Sequence, residues 1–193
     1  MKFRAAITAL LAFLAVSMNA NAQDVEAGKK KAEACVACHG PNGNSQAGMF
    51  PVLAGQNERY IYLQLRDYKE GRRNNAMMSA VAAGLEKQDM KDLAAYFSQQ
   101  KQLRTGFKAD PARVAAGAKK AEESLCAMCH LGGMKGQNEV PRVAGQQPEY
   151  VINQFKAFKA RERTNDAGNM TSLAQTLSEE DMVNLAHWIS DQY

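Results

Sequence analysis

Apolar side chains recur at helical spacing in four places along this chain. Tyr60, Ile61, Leu65 and Tyr68 share one stripe, and Met90, Leu93, Ala94 and Phe97 follow the i, i+3, i+4, i+7 rule of an amphipathic helix. The pattern returns as Tyr150, Val151, Phe155 and Phe158, then as Met182, Leu185, Ala186 and Ile189. Helix starts are marked by Asp24 ahead of a Gly-Lys-Lys-Lys-Ala segment and by Asp110 with Pro111 at the first helical position. Ser178 with Asp181 three residues later adds a capping box. No segment alternates with period two, so the predicted fold class is all-α, with three helices in each half.

The stripes return because the chain is duplicated. Residues 35–40, CVACHG, match 126–131, CAMCHL; FPVLAGQNERYIYLQLRDYKEG from Phe50 matches VPRVAGQQPEYVINQFKAFKAR from Val140; LEKQDMKDLAAYFS from Leu85 matches LSEEDMVNLAHWIS from Leu177. Every match is offset by about 90 residues, the signature of two homologous domains in tandem. The domains are predicted at 23–105 and 106–193, joined between Ser98 and Pro111, where the helical pattern stops and Thr105-Gly106 marks a loop. At about 85 residues a purely apolar core is marginal, so a bound cofactor or staple is expected to contribute in each half.

Composition sets the class. With 193 residues, 46% hydrophobic and 23% charged, the chain is neither disordered nor a polytopic membrane protein. Residues 1–22 form a predicted signal peptide, with basic Lys2 and Arg4, an apolar stretch from Ala5 to Val16, and Ala20-Asn21-Ala22 before a cut at Gln23. A retained anchor is disfavoured, since a span needs about 20 apolar residues. The first cysteine is Cys35, far from the cut, so a lipid-anchored N-terminus is not indicated. Losing Lys2 and Arg4 lowers the formal charge of +4 by two, which leaves no concentrated basic face for nucleic acid.

Cys35-Val36-Ala37-Cys38-His39 and Cys126-Ala127-Met128-Cys129-His130 are both C-x-x-C-H, the attachment signature of c-type haem. Cysteines three apart on one turn project to the same side, where each sulfur can add across a haem vinyl group, and the next residue puts an imidazole under the iron. Two haems with two vinyls each use all four cysteines, leaving none for a disulfide. A structural zinc site would need the pairs about 15–20 residues apart, and a thioredoxin-like pair would need a βαβ context.

The second axial ligand decides between electron transfer and open-site chemistry. Met170 lies seven residues before Leu177, and Met78 lies seven before the equivalent Leu85. Met78 follows His39 by 39 residues and Met170 follows His130 by 40. A thioether from each closes the iron at raised potential. Met77, adjacent but without a partner in the second half, is the alternative to Met78. Met90 and Met182 belong to apolar stripes, and His187, whose register partner is Ala95, is expected to be structural. The matched Pro51 and Pro141 can offer backbone carbonyls to the imidazoles or serve as plain turn prolines. Arg72, Arg73, Arg161 and Arg163, just before the methionines, either pair with haem propionates or are solvated surface charges.

With these motifs and the FPVLAGQ…Y…QL…YK pattern, nearly the whole mature chain resembles the dihaem cytochrome c4 family. The resemblance implies two tandem class I cytochrome c domains related by a pseudo-twofold axis, with two covalently bound haem c groups facing each other across the interface. It implies a monomeric periplasmic electron carrier, not an enzyme, passing electrons transiently from a membrane quinol-oxidising complex to terminal oxidases, with peripheral membrane contact in some members. It assigns attachment to Cys35, Cys38, Cys126 and Cys129, and iron ligation to His39, Met78, His130 and Met170. It gives the prolines the imidazole-orienting role and sets Gly28 and Gly117 where the first helix crosses the last, against Tyr96 and Trp188. The alternatives are an electron-transfer subunit of a dehydrogenase complex and a dihaem peroxidase.

Overall fold

The computed structural model describes residues 23–193, so the predicted signal peptide at 1–22 lies outside the described residues. The first half contains α1 (Val25–Ala32), α2 (Val36–His39), α3 (Glu58–Lys69), α4 (Ala76–Ala83) and α5 (Lys87–Ser98). The second repeats them as α6 (Pro111–Glu123), α7 (Cys126–His130), α8 (Pro148–Lys159), α9 (Asn169–Thr176) and α10 (Glu179–Asp191). Among the described residues there is no strand, only two isolated bridges. No helix among them is long and apolar enough to cross a membrane.

The local signals act as expected at the helix ends. The Asp24 carboxylate accepts from Ala27 N–H at 2.9 Å, and that of Asp110 accepts from Ala112 and Arg113 N–H at 2.8 and 3.1 Å. Ser178 and Asp181 form the predicted capping box, and in the first half Glu86 N–H donates to Asp89 at 2.8 Å. Three helices per half is an undercount. The methionine-bearing α4 and α9 are additional helices, and α4, Ala-Met-Met-Ser-Ala-Val-Ala-Ala, has almost no polar face from which to read a period.

In each half the first helix crosses the last at a glycine. A Cβ on Gly28 would sit 2.1 Å from Asp92 O and 2.9 Å from Tyr96 Cβ; on Gly117 it would sit 2.2 Å from Asn184 O and 2.7 Å from Trp188 Cβ. The crossing is therefore backbone against backbone, and it gathers one core per half. Ala32, Ile61, Leu93, Ala94, Tyr96 and Phe97 form the first. Ala121, Val151, Phe155, Leu177, Met182, Leu185, Ala186 and Ile189 form the second.

The two halves meet through reciprocal hydrogen bonds that make the pseudo-twofold axis visible. The Gln146 amide brackets both backbone groups of Val52, accepting from N–H at 2.7 Å and donating to C=O at 3.0 Å. Its counterpart Gln56 does the same to Arg142, at 2.8 and 2.7 Å. Nearer the axis, Arg73 and Arg163 face each other across an antiparallel bridge. Arg73 donates to Gln64, Gln154 and the Tyr150 hydroxyl at 2.7, 2.8 and 3.0 Å. Arg163 donates to Gln154, Gln64 and the Tyr60 hydroxyl at 2.7, 3.3 and 3.0 Å. Each guanidinium also stacks on an aromatic ring of its own half, Arg73 on Tyr68 at 4.7 Å and Arg163 on Phe158 at 4.5 Å.

Candidate functional site

Each C-x-x-C-H motif lies where a first helix gives way to a short turn of helix. Cys35 ends a 3₁₀ turn and Cys38-His39 complete α2, while Cys126 opens α7 after Leu125, which takes a left-handed conformation with φ of 54°. None of the four cysteines is in a disulfide, so all four sulfurs are available for haem attachment; Cys38 and Cys129 are exposed and the other two half-buried. Cys35 rests on the first core and Cys126 on the second, so one sulfur of each pair is fixed by apolar packing. Before attachment, burial pushes the Cys35 and Cys126 thiols up, and each neighbouring cysteine adds to the rise.

His39 and His130 are buried, and the Nδ1 of each lies 2.9 Å from a proline carbonyl, Pro51 for one and Pro141 for the other. A carbonyl can only accept, so Nδ1 carries the proton and the Nε2 lone pair is left for a metal. Burial pushes both imidazoles down toward the neutral form, against the opposing pull of the carbonyl bond. The prolines thus do more than shape a turn.

The structure sets Met78 in the first turn of α4 and Met170 in the first turn of α9, both half-buried. Met77 is 52% exposed. Met170 packs on the same core as Cys126, whereas Met78 stands apart from the apolar cluster that holds Cys35. His187 is structural: its Nδ1 accepts from Asp110 N–H at 3.0 Å and its ring meets Phe107 at 5.0 Å.

The four arginines divide. Arg72 and Arg161 are exposed. The surface reading fails for Arg73 and Arg163, which keep only 5% and 8% of their surface. Among the described residues neither has a carboxylate partner; their partners are amide and phenol oxygens. Two cations buried side by side call for anions.

This donor chemistry fits haem c. In each half it offers two thiols on one turn, a neutral imidazole with its outer nitrogen free, and a thioether, with a cationic centre between the halves for carboxylates. Among the described residues no three His, Cys, Asp or Glu side chains converge as they would to hold a metal on protein ligands alone.

The sequence reading missed the polar groups that join the halves: Gln56 with Gln146, Tyr60 with Tyr150 and Gln64 with Gln154. Their signal was present, because each is a polar residue preserved in both copies of the repeat.

Comparison with known proteins agrees with this chemistry. A family profile described as "Cytochrome c" matches residues 25–101, and one described as "Cytochrome C oxidase, cbb3-type, subunit III" matches 112–189. The chain is 40% identical to cytochrome c4 of Pseudomonas aeruginosa over 87% of its own length and 88% of the relative's. The crystal structure of reduced recombinant cytochrome c4 from Pseudomonas stutzeri superposes with a TM-score of 0.83 at 36% identity, covering 89% of this chain and all of that one. A thiosulfate dehydrogenase electron acceptor of Thiomonas intermedia is 35% identical over 84% of this chain and 80% of its own. Two cytochrome c domains, each with its own C-x-x-C-H motif, carry two covalently bound haem c groups. The chain therefore belongs to the cytochrome c4 family and is a dihaem electron carrier, an electron-transfer protein and not an enzyme.

Proposed function

We propose that Cys35 and Cys38 attach one haem, whose iron sits between His39 and Met78, and that Cys126 and Cys129 attach the other, with iron between His130 and Met170. The units divide at 105/106, within the connection between α5 and α10's partner helix α6. Residues 1–22 direct export and are removed, so the mature chain works in the periplasm. There it takes electrons from a membrane quinol-oxidising complex and delivers them to terminal oxidases through transient contacts. The observation that supports this most strongly is the matched pair of imidazoles, each pinned through Nδ1 to a proline carbonyl at 2.9 Å.

When bound, haem c supplies a one-electron Fe(III)/Fe(II) couple whose potential a thioether ligand raises. The chain's own residues make that couple fast and clean. Pro51 and Pro141 hold the imidazole proton at Nδ1 and fix the ring plane, so neither ligand turns when the charge changes. Met78 and Met170 carry no titratable proton, so no proton need follow the electron at the sulfur side. Burial of both imidazoles keeps water from that side. The Gln56 and Gln146 clamps hold the halves in one fixed relation, which electron exchange between them requires.

The experiment is turnover of the purified holoprotein by bacterial membranes. Quinol-fed membranes should reduce both haems, oxygen-respiring membranes should reoxidise them, and inhibition of the quinol-oxidising complex should stop the reduction. Failure of membranes to reduce either haem would overturn the proposed donor. A second donor is favoured by one observation, the similarity to a thiosulfate dehydrogenase electron acceptor. Under that reading a thiosulfate dehydrogenase, and not the membranes, reduces the protein.

A further inference from the structure

The helix that carries each methionine is tied at the same backbone position by different means. In the first half Asn75 is the N-cap of α4, and its side-chain oxygen accepts from the backbone N–H of Met78 itself at 3.0 Å. Asn75 is held in turn, its own N–H lying 3.3 Å from the Ser79 hydroxyl. Met78 is thereby fixed as the third residue of the helix, while Met77, one position earlier, stays out in solvent.

The second half has one more residue between histidine and methionine, and that residue changes the device. The chain turns through two left-handed residues, Ala167 with φ of 52° and Gly168 with φ of 83°. Gly168 then falls at the N-cap of α9, where it has no side chain to offer. Asp166, two residues earlier, reaches over it: one carboxylate oxygen accepts from Thr171 N–H at 2.6 Å and the other from the Thr171 hydroxyl at 3.1 Å. Thr171 follows Met170 and is the third residue of its helix. Both halves therefore satisfy the third amide of the methionine helix with a side-chain oxygen.

We propose that Asn75 and Asp166 are positioning residues for the two axial methionines, each setting how often the methionine of its own half leaves the iron. The inference rests on ligation by Met78 and Met170. A thioether leaves most readily when the first turn that carries it opens, and the cap opposes that opening. Removing a capping side chain shifts such an equilibrium by about fivefold. Because the two devices share no partner, each acts on one haem alone.

The test uses the full-length ferric holoprotein with imidazole as the external ligand. Imidazole takes the sixth position only when methionine vacates it, so its apparent affinity rises with the open fraction. The two haems are followed separately through their paramagnetically shifted methyl resonances, assigned with Met78→Ala and Met170→Ala. In Asn75→Ala the affinity at the first haem should rise about fivefold, with the second unchanged. In Asp166→Ala, which loses two charge-assisted bonds, the second haem should respond by about tenfold and the first not at all. Asn75→Asp keeps an acceptor and should restore wild-type affinity. A purely structural role would lower the unfolding midpoint without this haem-by-haem split.

The two arms are independent, so a variant that fails to accumulate in one half leaves the other decisive. Affinities within twofold of wild type at both haems, or an equal rise at both, would overturn the inference. Failure of the ligand assignment looks different: sulfur-to-iron charge-transfer absorption of the first haem would then survive Met78→Ala.

Discussion

Truncating Gln146 to alanine should cost more than an ordinary polar substitution, because the side chain serves the backbone of the other half. Its amide is the partner of both Val52 N–H and Val52 C=O, and Val52 and Gln146 are both buried. The same oxygen also accepts from Gln147 N–H at 2.9 Å. A buried backbone group left without a partner costs about 1–3 kcal/mol. Two such groups on Val52 put the expected loss at roughly 2–6 kcal/mol, with separation of the halves as the upper limit, since water then satisfies what the protein no longer does. Gln56→Ala should cost less, because Gln56 brackets Arg142 in the same way but Arg142 is only half-buried and water can reach its backbone groups more easily. The assay is denaturant unfolding followed by haem absorption, with small-angle scattering to report whether the halves stay docked. If docking is one cooperative unit, the double variant loses less than the sum of the singles. A single-variant loss below about 0.5 kcal/mol with unchanged scattering would refute the view that these clamps hold the interface.

Three other outcomes follow from the packing. Asp67, in the first half, is buried between Arg66, Arg72 and Asn165 of the second half. Burial works to raise its pKa, but hydrogen bonds from Asn165, Arg72 and Arg66 outweigh burial and hold it below the usual carboxylate range. A depressed carboxylate stabilises the fold above its unfolded pKa of about 3.9, and the contribution vanishes as pH falls through the lower folded value. Acid unfolding should therefore steepen below roughly pH 4, and Asp67→Asn should flatten that limb in a pH series of unfolding midpoints. Leu131 adopts φ of 59° and ψ of 176°, the conformation that its counterpart Gly40 takes with φ of 72° and ψ of 170°. Leu131→Gly should therefore raise stability by about 1 kcal/mol in chemical unfolding, strain relief exceeding the entropy that glycine loses. Gly117→Ala should destabilise by about 2–4 kcal/mol or block accumulation, as its Cβ would lie 2.2 Å from Asn184 O, and yield of folded holoprotein measures it.

Much of this molecule is legible before any coordinates because it states its message twice. Duplication turned single residues into register-matched pairs, which is why the proposal falls on Met78 and Met170 among ten methionines. Capping signals at Asp24, Asp110 and Ser178 are local, and local rules sufficed for them. The glycine crossings followed from the family resemblance and appear as backbone contacts. The methionine helices escaped because their first turns are too uniformly apolar or too short to show a period. The interface escaped for another reason. Gln56 and Gln146 act on residues about 90 positions away, and nothing in a linear pattern says whether a repeated glutamine faces water or the other copy. Arg73 and Arg163 show the same limit: charge alone left a solvated surface position open, but three side-chain hydrogen bonds from Arg73, four from Arg163 and an aromatic ring under each accompany their burial.

The most direct measurement is the red-end sulfur-to-iron charge-transfer absorption of the ferric protein, taken for wild type, Met78→Ala and Met170→Ala at equal haem content. Two histidine–methionine irons predict that each single variant loses half the intensity and that the double variant loses all of it. Undiminished absorption in either single variant, or a wild-type haem that binds carbon monoxide readily in the folded, reduced protein, would contradict the account.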